Sequence, residues 1–224
     1  MFVISPSLFS GNFLNLEKQL AQLDGMRNLH LDIDDGNFVR GISFGTDLAK
    51  VVAEHTSIPL DAHLEVLNPM DYVDDLCGCG IQRLCAHVEA LPFPSKFLSR
   101  VRRSNKKAGL ALNLKTPVDF IAPYADQLDY ILFVSVETDY DGLPFRPGVL
   151  EKIKAARRIF PENVEIWVDG GISETNLRDV VESGANGAVL GRSIFHAENP
   201  MREYQRLLKL ANNIQKKEEG SSNV

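Results

Sequence analysis

Three side chains that bind metals or exchange protons occupy every second position of one short segment, Leu29-His30-Leu31-Asp32-Ile33-Asp34-Asp35-Gly36. As a β-strand it turns Leu29, Leu31 and Ile33 to one face and His30, Asp32 and Asp34 to the other, whereas a helix would scatter them. Its leucine and isoleucine content suits a strand, and Asp35-Gly36 suits the turn that ends it. One face therefore carries an imidazole and two carboxylates. Charged groups are rarely buried without a partner or a metal, so this face is solvated, salt-bridged, or a site. Polar groups close other apolar runs in the same way: His63 and Glu65, His87 and Glu89, and Asp169-Gly170-Gly171. Imidazoles and carboxylates are ligands for divalent transition metals and carriers in general acid–base catalysis.

The elements that must position these groups alternate along the chain. Residues 2–4, 29–36, 58–65, 83–88, 108–114, 129–136, 165–168 and 187–190 read as strands, and 12–23, 47–54, 70–77, 95–103, 117–124, 147–158, 173–183 and 200–210 as helices. Such alternation implies a parallel sheet, because parallel strands need long crossovers. Eight strand–helix units in a chain of 224 residues fit an α/β fold of the (β/α)8 TIM barrel type in one domain, residues 1–212. A doubly wound open sheet is the alternative. Residues 213–224 are polar and small and are expected to be a disordered tail. In a barrel the chemistry collects at the C-terminal ends of the strands. Closure there would bring His30, Asp32, His63 and Asp169 together as a two-histidine, two-carboxylate set for a divalent transition metal. Taken alone, His63 reads more readily as a packed core histidine than as a ligand.

Composition narrows the partners. A hydrophobic share of 44% and a charged share of 24% are those of an ordinary soluble globular protein. The net charge of -6 argues against nucleic acid or an anionic membrane as an electrostatic partner. The N-terminus has no basic leader, and no apolar run approaches the roughly 20 residues of a spanning helix, so a cytoplasmic location is expected. Cys77, Cys79 and Cys85 lack a second Cys-x-x-Cys pair and read as structural thiols.

From about Ile4 to Leu208 the chain resembles the ribulose-phosphate 3-epimerase family. The matching stretches are Ile4-Ser5-Pro6-Ser7-Leu8, His30 through Val39, Asp61-Ala62-His63-Leu64, Ala86-His87-Val88-Glu89-Ala90, Leu112 through Pro117, Val168-Asp169-Gly170-Gly171-Ile172 and Gly191-Arg192-Ser193-Ile194-Phe195. The resemblance implies an isomerase that inverts a carbon next to the ketone of a ketose phosphate. It implies one divalent metal ion (Zn, Mn, Fe or Co) on His30, Asp32, His63 and Asp169, with Asp32 and Asp169 as the acid–base pair. It also implies substrate contacts from Ser7, His63, Gly142, Gly170, Gly171, Gly191 and Arg192, and a homo-oligomer. The chemistry suits these types: a Lewis acid stabilises the enediolate, two carboxylates serve its two faces, and the imidazoles fix the ion.

The sequence departs from the family at the walls of the site. Where the family commonly has methionines, the aligned positions are Asp34, Glu65 and Val134; its Pro-Asn is Arg40-Gly41; and its Gly-rich phosphate segment reads Glu137-Thr138-Asp139-Tyr140-Asp141-Gly142. Acidic groups there would repel phosphate, whereas Gly170-Gly171 and Gly191-Arg192 still offer backbone donors and a guanidinium. Two carboxylates on the wall select against a second anionic group and favour hydroxyls or a cation. The expected substrate is therefore a phosphorylated sugar other than ribulose 5-phosphate. A non-catalytic sugar- or metal-binding relative, or an enediolate-forming decarboxylase or aldolase, are the other functions this barrel admits.

Overall fold

The computed structural model describes residues 1–137 and 144–221, with side chains through residue 217. Eight strands are formed: β1 (Val3–Pro6), β2 (Leu29–Asp34), β3 (Leu60–Glu65), β4 (Arg83–His87), β5 (Lys107–Leu112), β6 (Tyr130–Val134), β7 (Glu165–Asp169) and β8 (Gly187–Leu190). They pair in parallel in the order β1-β8-β7-β6-β5-β4-β3-β2. A parallel bridge between Ser7 and His30 joins the two ends of that order, so the sheet curls into a (β/α)8 barrel. Outside it lie α1 (Leu16–Gln22), α2 (Thr46–His55), α3 (Val73–Gly78), α4 (Pro94–Arg103), α5 (Gly148–Ile159), α6 (Glu174–Glu182), α7 (Arg192–Phe195) and α8 (Pro200–Ser221).

The period-two alternation of β2 sorts its side chains as the sequence requires. Leu29, Leu31 and Ile33 are fully buried in the large core between strands and helices. Each such side chain contributes about 1.5–3 kcal/mol by burial. A separate, smaller core fills the barrel with Cys85, Ala111, Tyr130, Leu132, Trp167 and Val189. Below it the Arg83 guanidinium lies 4.3 Å from the ring centres of both Tyr130 and Trp167 and pairs with Glu165 at 3.0 Å. Two glycines make room for these rings. A Cβ on Gly109 would fall 2.6 Å from the Tyr130 ring, and one on Gly187 2.8 Å from Trp167. Gly109→Ala is therefore expected to destabilise the barrel by about 1–3 kcal/mol through overpacking. Urea unfolding should show a lowered midpoint at unchanged slope, and an unchanged midpoint would mean the ring has room to move.

Several helices differ from the sequence reading for local reasons. Residues 117–124 form a 3-10 helix, Val118–Tyr124, because Pro123 inside it has no N–H for an α-helical bond. The 12–23 segment divides into a 3-10 turn, Phe13–Asn15, and α1; the Asn12 side chain accepts the Leu14 N–H and starts the turn. The last helix is longer than the 200–210 read from the sequence: α8 runs Pro200–Ser221. Leu207, Ala211 and Ile214 are buried at helical spacing, so the same face that docks the helix continues into the polar segment. Among the described residues no helix is long and apolar enough to cross a membrane. All three cysteines are free, and burial pushes the Cys85 thiol up to about 12, which leaves it inert.

Candidate active site

The C-terminal ends of β2, β3 and β7 bring the chemical groups together. Asp32 is the register partner of His63, Asp34 that of Glu65, and Asp169 ends β7 beside Val134. His30 Nε2 lies 3.1 Å from Asp32 Oδ1 and 3.7 Å from Asp169 Oδ2. His63 Nδ1 lies 3.6 Å and 3.8 Å from the same two oxygens. Four ligands at roughly 2.0–2.2 Å from one tetrahedral ion are about 3.3–3.6 Å apart, so this donor set fits a divalent metal. His63 Nδ1 strengthens the fit, since it is buried with no hydrogen-bond partner and faces the two carboxylates.

A layer of further groups aims these donors. His30 Nδ1 meets Asp61 Oδ1, and Asp61 Oδ2 accepts hydrogen bonds from the Asn28 amide and, at 2.9 Å, from the Ser5 hydroxyl. A carboxylate on Nδ1–H fixes the tautomer and leaves the Nε2 lone pair for a ligand. The Ser7 hydroxyl donates to Asp32 Oδ2 at 2.6 Å. The Ser135 N–H and hydroxyl donate to the Asp169 carbonyl at 2.7 and 2.8 Å, anchoring the end of β7.

Electrostatics divides the two aspartates. Burial would raise the Asp32 carboxyl, but the charge and hydrogen bonds of His30 and His63 overrule it and hold Asp32 well below the ordinary carboxylate range. Asp169 is pushed up, by burial first and then by the Asp32 charge. Paired carboxylates driven apart in this way favour one base and one acid. Asp34 is also pushed up, by burial and by the charges of Glu65 and Asp32.

The groups open into a cavity of about 860 Å³, within the range of small-molecule sites. Asp32, Asp34, Glu65 and Asp169 stand in its wall with Gly170, Gly171, Gly191 and Arg192. Gly170 and Gly171 have φ of 101° and 61°, the left-handed region that favours glycine. A Cβ on Gly170 would also strike Val136 at 2.7 Å.

The profile of the Ribulose-phosphate 3 epimerase family matches residues 3–195. The chain belongs to the ribulose-phosphate 3-epimerase family. Two relatives named ribulose-phosphate 3-epimerase are similar over most of their length. That of Schizosaccharomyces pombe is 35% identical over 202 residues, 88% of each chain. That of Synechocystis sp. is 36% identical over 204 residues, 88% of this chain and 89% of its own. The cytoplasmic isoform of ribulose-phosphate 3-epimerase from Oryza sativa subsp. japonica is 31% identical over 220 residues, 96% of both chains. Among solved structures, KGPDC from Streptococcus mutans superposes with a TM-score of 0.74 over 96% of this chain and 99% of its own. At 13% identity that likeness shows the fold alone.

In this ribulose-phosphate 3-epimerase family member, His30, Asp32, His63 and Asp169 converge on one point. Ser7, Gly170, Gly171, Gly191 and Arg192 line the same cavity, and the Ser7 hydroxyl is engaged on Asp32. Gly142 lies outside the described residues. Sequence reasoning misses Asp61, although it sits two residues before His63 on the same inward face, which is the available signal. His87 and Glu89 read as strand-end groups in the sequence, but their link to His63, through a 2.9 Å contact between the two Nε2 atoms, emerges only when β3 pairs with β4.

Proposed function

We propose that this chain is a metal-dependent epimerase that inverts the carbon next to the ketone of a ketose phosphate. The observation that carries the reading is the convergence of two carboxylates, Asp32 and Asp169, with the imidazoles of His30 and His63 in one donor set at the mouth of the barrel. Inversion needs a base on one face of a planar intermediate and an acid on the other. Asp32 takes the proton from the carbon next to the ketone, and Asp169 delivers a different proton to the opposite face. The roles exchange in the reverse direction. When bound to His30, Asp32, His63 and Asp169, a divalent ion (Zn, Mn, Fe or Co) supplies Lewis-acid stabilisation of charge on the ketone oxygen. Asp61, through His30, and Ser7, through Asp32, hold these groups in place.

The phosphate is assigned to backbone N–H groups at Gly170-Gly171 and Gly191 and to the Arg192 guanidinium. Glu65 on β3 stands four strands away from β7 in the ring, on the far wall beside Asp34. A second anion on the substrate would be repelled there, whereas hydroxyls meet the unpartnered Asp34 Oδ1. The large side chains Leu14, Ile42, Phe93 and Phe120 are exposed on the segments that follow β1, β2, β4 and β5, two of them in 3-10 turns, which supports a homo-oligomer. The cytoplasmic label of the Oryza relative supports the same location for this chain.

A panel of ketose phosphates incubated with the protein and each of the four ions, with products resolved by NMR, tests the reading. The expected result is the epimer at the carbon next to the ketone, lost on chelation and restored by the ion, with ribulose 5-phosphate slower than another member of the panel. Absence of any epimer with all four ions would contradict the proposal.

A further inference from the structure

Beside the first donor set lies a second one, which shares His63 with it. His63 Nε2 and His87 Nε2 are 2.9 Å apart, and Glu65 Oε1 is 3.5 Å from His87 Nε2. All three residues are buried, His87 fully, and one ligand atom from each lies within 4.8 Å of the others. Glu65 Oε1 has no hydrogen-bond partner although the residue is only 9% exposed. A buried carboxylate oxygen without a hydrogen bond favours a positive group beside it, and the His87 ring lies 3.5 Å from Glu65 Oε1.

The surroundings of His87 repeat those of His30. Its Nδ1 lies 3.3 Å from Glu89 Oε2, and Glu89 is itself fixed by the Asn113 N–H at 2.9 Å and by the Thr116 hydroxyl. A carboxylate on Nδ1–H with Nε2 directed inward is the arrangement that orients a metal-ligating histidine. The Phe38 ring, 4.8 Å from the His87 ring, packs against it. The 3.5 Å edge falls within the roughly 3.3–3.6 Å expected between ligands of one tetrahedral ion, and the 2.9 Å edge between the imidazoles is shorter.

We infer that His63 Nε2, Glu65 Oε1 and His87 Nε2 form a site for a second divalent transition-metal cation beside the first. The inference extends the metal reading of His30, Asp32, His63 and Asp169 and shares His63 with it. His63 faces the first set through Nδ1 and the second through Nε2, so its ring links the two ions and releases its N–H proton to solvent as the second one binds. Two imidazoles and a carboxylate suit zinc or cobalt. An ion there would offset the Glu65 charge, so that repulsion of a second anion belongs to the metal-free wall and the loaded wall would offer a second Lewis acid to substrate hydroxyls on the β3 side.

Metal counting tests this without reference to turnover. Tag-free protein is stripped with a chelator, reloaded with Zn²⁺ or Co²⁺, dialysed and analysed by mass spectrometry of the metals, with circular dichroism to confirm folding. The parent should hold two equivalents. Glu65→Gln, which keeps the side-chain shape, and His87→Gln should each hold one, and Asp32→Asn should lose the other. One equivalent in the parent, or two retained in folded Glu65→Gln and His87→Gln, would overturn the second site and leave the first standing. No metal in the parent would overturn both.

Discussion

Asp169→Asn is expected to lower turnover of the ketose phosphate by about 10²–10⁴-fold, the usual contribution of a positioned acid or base. The amide keeps the size of the side chain and one oxygen for a ligand, but it cannot carry the proton. Asp169 ends β7 in the cavity wall and its backbone carbonyl, held by Ser135, is untouched by the change. The barrel should therefore unfold at an unchanged urea midpoint while kcat falls. Substrate binding through the phosphate contacts should persist, so KM should change far less than kcat. Parent-level kcat in Asp169→Asn would rule out Asp169 as a proton carrier.

Under the proposed mechanism Asp32→Asn should cost more, because Asp32 is assigned both the base role and a place in the first donor set. Loss of a directly bound carboxylate should exceed the about 10–100-fold drop in metal affinity that removal of an outer partner typically causes. Asp61→Asn supplies that outer comparison, since Asp61 reaches the ion only through His30 Nδ1. The ordering of Zn²⁺ affinity by competition with a chromophoric chelator should be parent, then Asp61→Asn, then Asp32→Asn. An Asp32→Asn protein that binds as tightly as the parent would remove Asp32 from the metal set.

The parts of the site carried by strand periodicity were legible in the sequence. The alternation of Leu29 through Asp34 placed His30, Asp32 and Asp34 on one face before any pairing was known, because a strand turns every second side chain the same way; that this face points into the barrel needed the other strands. Convergence with His63 and Asp169 depended on barrel closure, which alternation of strands and helices implied but did not measure. What stayed hidden were contacts set by register. Asp61 meets His30 because β2 and β3 pair those two residues, and His87 reaches His63 from the neighbouring strand. The end of α8 was hidden for a different reason: the polar composition after Leu210 outweighed the spacing of Leu207, Ala211 and Ile214, whose burial keeps the helix docked.

The two-base inversion is tested most directly by following the reaction in D₂O at early conversion. If Asp32 and Asp169 serve opposite faces, the epimeric product carries one solvent deuteron at the inverted carbon while recovered substrate retains its original proton. Deuterium appearing equally in recovered substrate, or the original proton carried into the product, would show a single base serving both faces and would contradict the account.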